Sequence, residues 1–130
     1  MGVQTVPDSE VEKYGIVSMI DREASLSKML DFVEKPKFSD APSNRAVLGR
    51  YILTPKIFEY LESQTAGAGN EVQLTDAVKR MMNVEDVYAC TFKGKRYDIG
   101  DKLGFLKATV DFALKRDDLK EEFLEFLKTK

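Results

Sequence analysis

Met29-Leu30-Asp31-Phe32-Val33-Glu34-Lys35-Pro36 runs from an apolar segment into a carboxylate, an ammonium and a proline. It predicts a strand over residues 29–34. Pro36 has no N–H to continue a sheet ladder and steers its predecessor away from the helical region, so Lys35 is expected to be extended. In a regular strand Glu34 and Lys35 point to opposite faces. Where the strand stops, both can turn toward a common cavity. Such a pair suits a ligand with sugar hydroxyls at one end and a phosphate at the other. Glu34 would accept hydrogen bonds from the hydroxyls, and Lys35 would present a compact positive charge. The competing reading is a charged strand end facing water, which the tetrapeptide alone favours.

Working outward, Tyr14-Gly15 opens a strand over residues 15–20, and the charged segment 21–28 separates it from the strand at 29–34. Two strands with a polar connection predict a hairpin or meander. Gly15 is either a turn glycine or a place where backbone must approach something closely. Residues up to Ser9 read as a lead-in. After the polar loop 37–44, Ala46-Val47-Leu48-Gly49-Arg50-Tyr51-Ile52-Leu53 is long and apolar enough for a central strand buried on both faces. Thr54-Pro55 predicts a helix start, with Thr54 as N-cap, Pro55 at N1 and Leu53 and Phe58 as a hydrophobic staple. That helix is expected to reach about Glu62 and to bury Ile57, Phe58 and Leu61.

The loop 65–70, Thr-Ala-Gly-Ala-Gly-Asn, fails as a nucleotide loop. Val72 stands where the third glycine of the dinucleotide fingerprint belongs, no strand precedes the loop, and no Gly-Lys-Ser/Thr follows. Glu71 and Asp76 read as helix-start carboxylates ahead of a helix with Leu74, Val78 and Met81 on one stripe. Residues 87–92 predict a further strand, with Cys90 a buried small side chain.

Asp98, between Tyr97 and Ile99 and two residues before Gly100, has two open readings: an Asx-turn residue, or a carboxylate ligand for Mg²⁺. Asp101 stands where the next helix needs an N-cap. Leu103, Leu106, Val110 and Leu114 form a stripe suited to covering a sheet face. Asp117-Asp118 is expected to start a last helix, whose Leu119, Phe123, Phe126 and Leu127 face fits docking either on its own domain or on a second subunit.

With 130 residues, 43% hydrophobic and 32% charged, the chain has the composition of one domain, residues 1–130. Twenty basic and 22 acidic residues are interspersed, for a net charge of −2, so there is no basic field to gather nucleic acid. One cysteine and no histidine exclude an internal disulfide, Cys/His zinc sites and any triad with an imidazole base. No segment has the length and apolarity of a membrane helix, and the first residues carry no signal-peptide pattern. A cytoplasmic protein is expected.

Taken in order, Tyr14-Gly15-Ile16, Val33-Glu34-Lys35-Pro36, Ala41-Pro42-Ser43-Asn44, Gly49-Arg50-Tyr51, the segment from Gly67 to Ala77 and Gly94-Lys95-Arg96-Tyr97-Asp98-Ile99-Gly100 closely resemble the C-terminal half of the bacterial UTP–glucose-1-phosphate uridylyltransferases. The Pro-Ser-Asn and Gln-Leu-Thr-Asp-Ala segments look like this family rather than its thymidylyl- or adenylyltransferase relatives. The resemblance implies a three-layer α/β/α, Rossmann-like nucleotidyltransferase fold with a mixed sheet. It also implies uridylyl transfer from UTP to glucose 1-phosphate, giving UDP-glucose and pyrophosphate with Mg²⁺ on the phosphates.

Carried over by that resemblance, Gly15 brings its backbone against the sugar, Glu34 binds glucose hydroxyls and Lys35 binds the sugar phosphate. Asp98 is the second metal carboxylate, and Lys35 and Asp98 are the catalytic groups. Phosphoryl-type transfer needs positioning and charge neutralisation rather than a protein nucleophile, which suits these residues. Family members begin with a glycine-rich strand-loop-helix of the type Leu-Ala-Ala-Gly-x-Gly-Thr-Arg followed by a lysine, and carry a later aspartate as first metal ligand. Neither is in this sequence. A chain supplying only the sugar-phosphate half is therefore expected to be inactive alone. The alternatives are an assembly module, including a homo-oligomer, or a sugar-phosphate-binding protein of the same fold.

Overall fold

The first residues are not a lead-in. In a computed structural model, which describes residues 1–66 and 70–130, they form strand β1 (Gly2–Thr5), followed by a 3₁₀ segment, Asp8–Lys13. The chain divides into two compact units, residues 1–92 and 93–130, each described by itself.

In the first unit the predicted pair of strands is present: β2 (Gly15–Met19) runs antiparallel to β3 (Leu26–Glu34), with Gly15 opposite Glu34 and Val17 opposite Phe32. The connection is tighter than the charge pattern suggests, because the Asp21 carboxylate accepts the N–H groups of Glu23 (2.9 Å) and Ala24 (3.2 Å) and folds the turn early. The apolar run 46–53 contributes only β4 (Arg45–Val47). Gly49, at φ +66°, takes the chain out of the strand, and Ile52 is 96% exposed. The strand buried on both faces is β2 instead. Its Ile16 packs with Val6, Val11 and Ala46, and its Val17 with Val3, Phe32 and Val47.

Helix α1 (Ile57–Glu62) ends where expected, but Thr54 does not cap it. The Thr54 hydroxyl donates to Glu85 (3.0 Å), and the helix is entered through a turn in which the Ile57 N–H meets the Thr54 carbonyl. Ile57 is buried and Leu61 packs on the core, whereas Phe58 is exposed, so the staple does not form. The glycines of the loop 65–70 fall on residues 67–69, outside the described residues. Helix α2 (Leu74–Met81) buries Ala77, Val78 and Met81 against the sheet, with Leu74 packed at the edge of the same core.

Strand β5 (Tyr88–Thr91) turns Ala89 inward in phase with the buried Val87 just before it, which leaves Cys90 exposed rather than buried. β5 pairs antiparallel with β3 and parallel with β1, and β1 pairs antiparallel with β4. The sheet is mixed and the unit is α/β, as expected. Its strands do not form the open middle layer of three, however; they close into a barrel in the order β1-β4-β2-β3-β5. β1 is the reason: it pairs on both sides and leaves no unpaired sheet edge among the described strands. Phe32, Ile16, Val3, Val11, Val17 and Val78 are fully buried, each a side chain whose removal from water is worth about 1.5–3 kcal/mol.

In the second unit α3 (Lys102–Leu114) begins under the Asp101 cap, whose carboxylate accepts the Gly104 N–H at 2.7 Å, as predicted. The stripe does not become a covered face: Leu103 and Leu106 are 57% and 58% exposed. α4 (Lys120–Lys128) starts later than Asp117-Asp118, because Arg116 holds Asp118 through two hydrogen bonds, at 2.9 and 2.5 Å. α4 packs on α3.

Candidate sugar-phosphate site

At the end of β3, Glu34 faces Gly15 across the ladder, and the Lys35 N–H donates to the Tyr14 carbonyl at 3.1 Å. A Cβ on Gly15 would sit 2.6 Å from the Phe32 ring and 3.0 Å from Glu34 Oε2. Close approach, rather than a turn, accounts for this glycine. Lys35 is not extended. Its φ is +42°, in the left-handed region that a non-glycine residue rarely enters. The ladder bond to Tyr14 ties its N–H down while Pro36 is buried behind it, so the chain turns out of the strand at Lys35 itself. The strict alternation of Glu34 and Lys35 is thereby broken, by a route other than the extended backbone expected from Pro36. Lys35 is exposed and Glu34 half-buried.

Thr75 and Tyr51, quoted among the family-like segments but given no role there, stand at Glu34, and Lys79 ties the same strand. The Thr75 hydroxyl, in the first turn of α2, donates to Glu34 Oε2 at 2.5 Å, and Thr75 is only 6% exposed. Tyr51 has its phenol held above the usual tyrosine range, first by burial and then by the negative charge of Glu34. Lys79, one turn beyond Thr75, pairs with Asp31 of β3 at 2.7 Å, so α2 is fastened to this strand by two polar contacts. Burial pushes the Asp31 carboxyl up, but Lys79 and the Phe32 N–H together bring it below the ordinary aspartate range.

The Ser43-Asn44-Arg45 segment is structural. Ser43 Oγ donates to the Val17 carbonyl (2.5 Å) and accepts the Arg45 N–H, while Asn44 reaches Asp8 and Arg45 reaches Thr5 and the Arg22 carbonyl. These bonds hold β4 beside β2. Asp76 lies in the first turn of α2 and lines a cleft of about 620 Å³ with Ser63, Gln64, Lys79 and Arg80, a lining that includes neither Glu34 nor Lys35. Glu71 accepts from Gln73 at 3.4 Å.

In the second unit Asp98 Oδ1 accepts the Gly100 N–H at 3.2 Å, the geometry of an Asx turn, and Oδ2 stands 3.5 Å from Arg96. Its half-exposed carboxylate has the hard oxygen donors that Mg²⁺ takes, with water and phosphate completing the shell. Among the described residues no group of three or more His, Cys, Asp or Glu side chains is placed to hold a metal.

The α/β sheet ends in a carboxylate held by a threonine and a left-handed lysine, and residues 2–114 match the nucleotidyl transferase family model: the chain belongs to that family. Within it, the chain is 53% identical over 128 residues to the UTP–glucose-1-phosphate uridylyltransferase of Staphylococcus haemolyticus, and 51% identical to that of Staphylococcus epidermidis. Both matches cover 98% of this chain and 44% of the relative, so the chain spans less than half of their length. Among solved structures, UDP-glucose pyrophosphorylase complexed with UDP-glucose superposes with a TM-score of 0.82 at 43% identity, over 88% of this chain and 44% of that one. The UTP-bound enzyme of Acinetobacter baumannii superposes with a TM-score of 0.84 at 37% identity, over 98% and 44%. No helix among the described residues is long and apolar enough to cross a membrane.

Proposed function

We propose that this chain is the sugar-phosphate-holding part of a cytoplasmic enzyme that makes UDP-glucose from UTP and glucose 1-phosphate. In that reaction a phosphate oxygen of glucose 1-phosphate attacks the α-phosphorus of UTP, the bond to the β-phosphate breaks, and pyrophosphate leaves. Glu34 accepts hydrogen bonds from glucose hydroxyls, Lys35 neutralises the sugar phosphate, and Gly15 keeps the wall of the site low. Asp98 would hold Mg²⁺, which supplies charge neutralisation on the phosphates when bound. The observation that carries this reading is the pair at the end of β3: a carboxylate fixed by Thr75 beside a lysine in a strained backbone conformation, in a chain of this family. Strain of this kind persists only where the surrounding structure over-determines it, and it clusters at active sites and ligand clamps.

Calorimetry with glucose 1-phosphate tests the assignment. Glu34→Ala and Lys35→Ala are each expected to weaken binding by about tenfold or more, the range for losing a hydrogen bond to a charged group. Unchanged affinity in both variants would remove the site. Because the chain spans 44% of the relatives' length, pyrophosphate release from UTP by this chain alone is expected to be absent. A second reading, an assembly module, draws on the exposed Leu103, Phe105, Leu106 and Phe112 of α3. It requires a defined oligomer in sedimentation.

A further inference from the structure

We infer that Thr75 is the positioning residue that assigns the two oxygens of Glu34 to different tasks, and so sets how sharply the site discriminates among hexose 1-phosphates. The inference rests on the reading of Glu34 as the sugar-hydroxyl acceptor and adds a residue to it. Oε2 is walled in. It receives the Thr75 hydroxyl at 2.5 Å, from a side chain that is itself only 6% exposed. Oε1 has no hydrogen-bond partner among the described residues, which leaves it as the oxygen for a ligand hydroxyl. A carboxylate able to rotate would offer either oxygen in many directions. One pinned by a charge-assisted hydrogen bond offers a single direction, and direction is what separates sugars that differ only in the configuration of a hydroxyl.

Thr75 is suited to the task. Its β-branch limits the side chain to few rotamers, it is buried, and its hydroxyl has one proton to give. The helix carrying it cannot drift from the strand carrying Glu34, because Lys79, one turn on and on the same face, grips Asp31 at 2.7 Å.

The test measures the affinity of the chain for four probes: glucose 1-phosphate, galactose 1-phosphate, mannose 1-phosphate and inorganic phosphate. Thr75→Val keeps the shape and removes the donor. It is expected to weaken glucose 1-phosphate by about tenfold, to bring the three sugar phosphates closer together in affinity and to leave inorganic phosphate, which needs Lys35 alone, unchanged. Thr75→Ser, which restores the donor, should return glucose 1-phosphate to within about threefold of the native chain. Should Thr75→Val fail to fold, the Thr75→Ser and Thr75→Ala pair makes the same comparison.

If Glu34→Gln loses glucose 1-phosphate while the donor-less variant keeps both its affinity and its selectivity, the positioning role is wrong and the sugar site stands. If the losses extend equally to inorganic phosphate, Thr75 is only structural and the inference falls. If the native chain binds glucose 1-phosphate no better than phosphate and Glu34→Gln changes nothing, the underlying site is wrong as well.

Discussion

Lys35 carries φ +42° directly before Pro36, a conformation that costs a residue with a Cβ about 1–2 kcal/mol relative to its relaxed backbone. The cost is met locally by the ladder bond from the Lys35 N–H to Tyr14 and by the buried Pro36 that follows. If the backbone conformation serves the lysine charge, stability and binding should separate at this position. Lys35→Gly relieves the strain and Lys35→Ala keeps it, so the glycine variant is expected to be about 1 kcal/mol more stable than the alanine variant in denaturant unfolding. Both should lose affinity for glucose 1-phosphate to a similar extent. Alanine proving as stable as glycine would mean that the left-handed backbone is not intrinsic to the folded chain.

Among the elements, those whose causes are local were legible. Asp101 caps α3 because a short acceptor precedes an apolar helix, and the structure has that bond at 2.7 Å. Asp101→Ala is expected to cost about 1 kcal/mol and to fray the first turn, seen as faster amide exchange at Gly104 and Phe105 with the barrel unit unchanged. Equal protection in the variant would show that the cap is idle. Elements set by distant partners were less legible. Residues 46–53 look like one long strand, but their length is cut by the left-handed Gly49, a backbone choice that apolar composition does not encode. Cys90 sits in a strand with apolar side chains in both phases, so alternation alone could not tell that Val87 and Ala89 turn inward. Thr75 lies 41 residues from Glu34, and nothing in the spacing of either segment joins them.

At the scale of the molecule, the mixed α/β character followed from the elements, but the closed barrel did not. Closure depends on β1, four residues too short to show a period, pairing with residues 40 to 88 positions away. The same long-range logic makes acid the condition that should loosen the chain, because each unit is tied across its elements by a carboxylate. In the barrel unit Asp31 joins β3 to α2 through Lys79. In the helical unit Lys95, then Tyr97, hold the Asp111 carboxyl below the ordinary aspartate range. A carboxyl whose folded pKa is depressed contributes stability above its unfolded pKa and loses that contribution as pH falls through the folded value. Denaturant midpoints should therefore be flat near neutrality and decline below about pH 4, where aspartates ordinarily titrate. Amide exchange should localise the early loosening to α2 and to the α3 turn around Asp111. Asp31→Asn keeps an acceptor for the Phe32 N–H and removes the titrating charge, so α2 should then lose its acid sensitivity while α3 keeps its own. If α2 in Asp31→Asn opens with the native pH dependence, the tie between β3 and α2 does not rest on that ion pair.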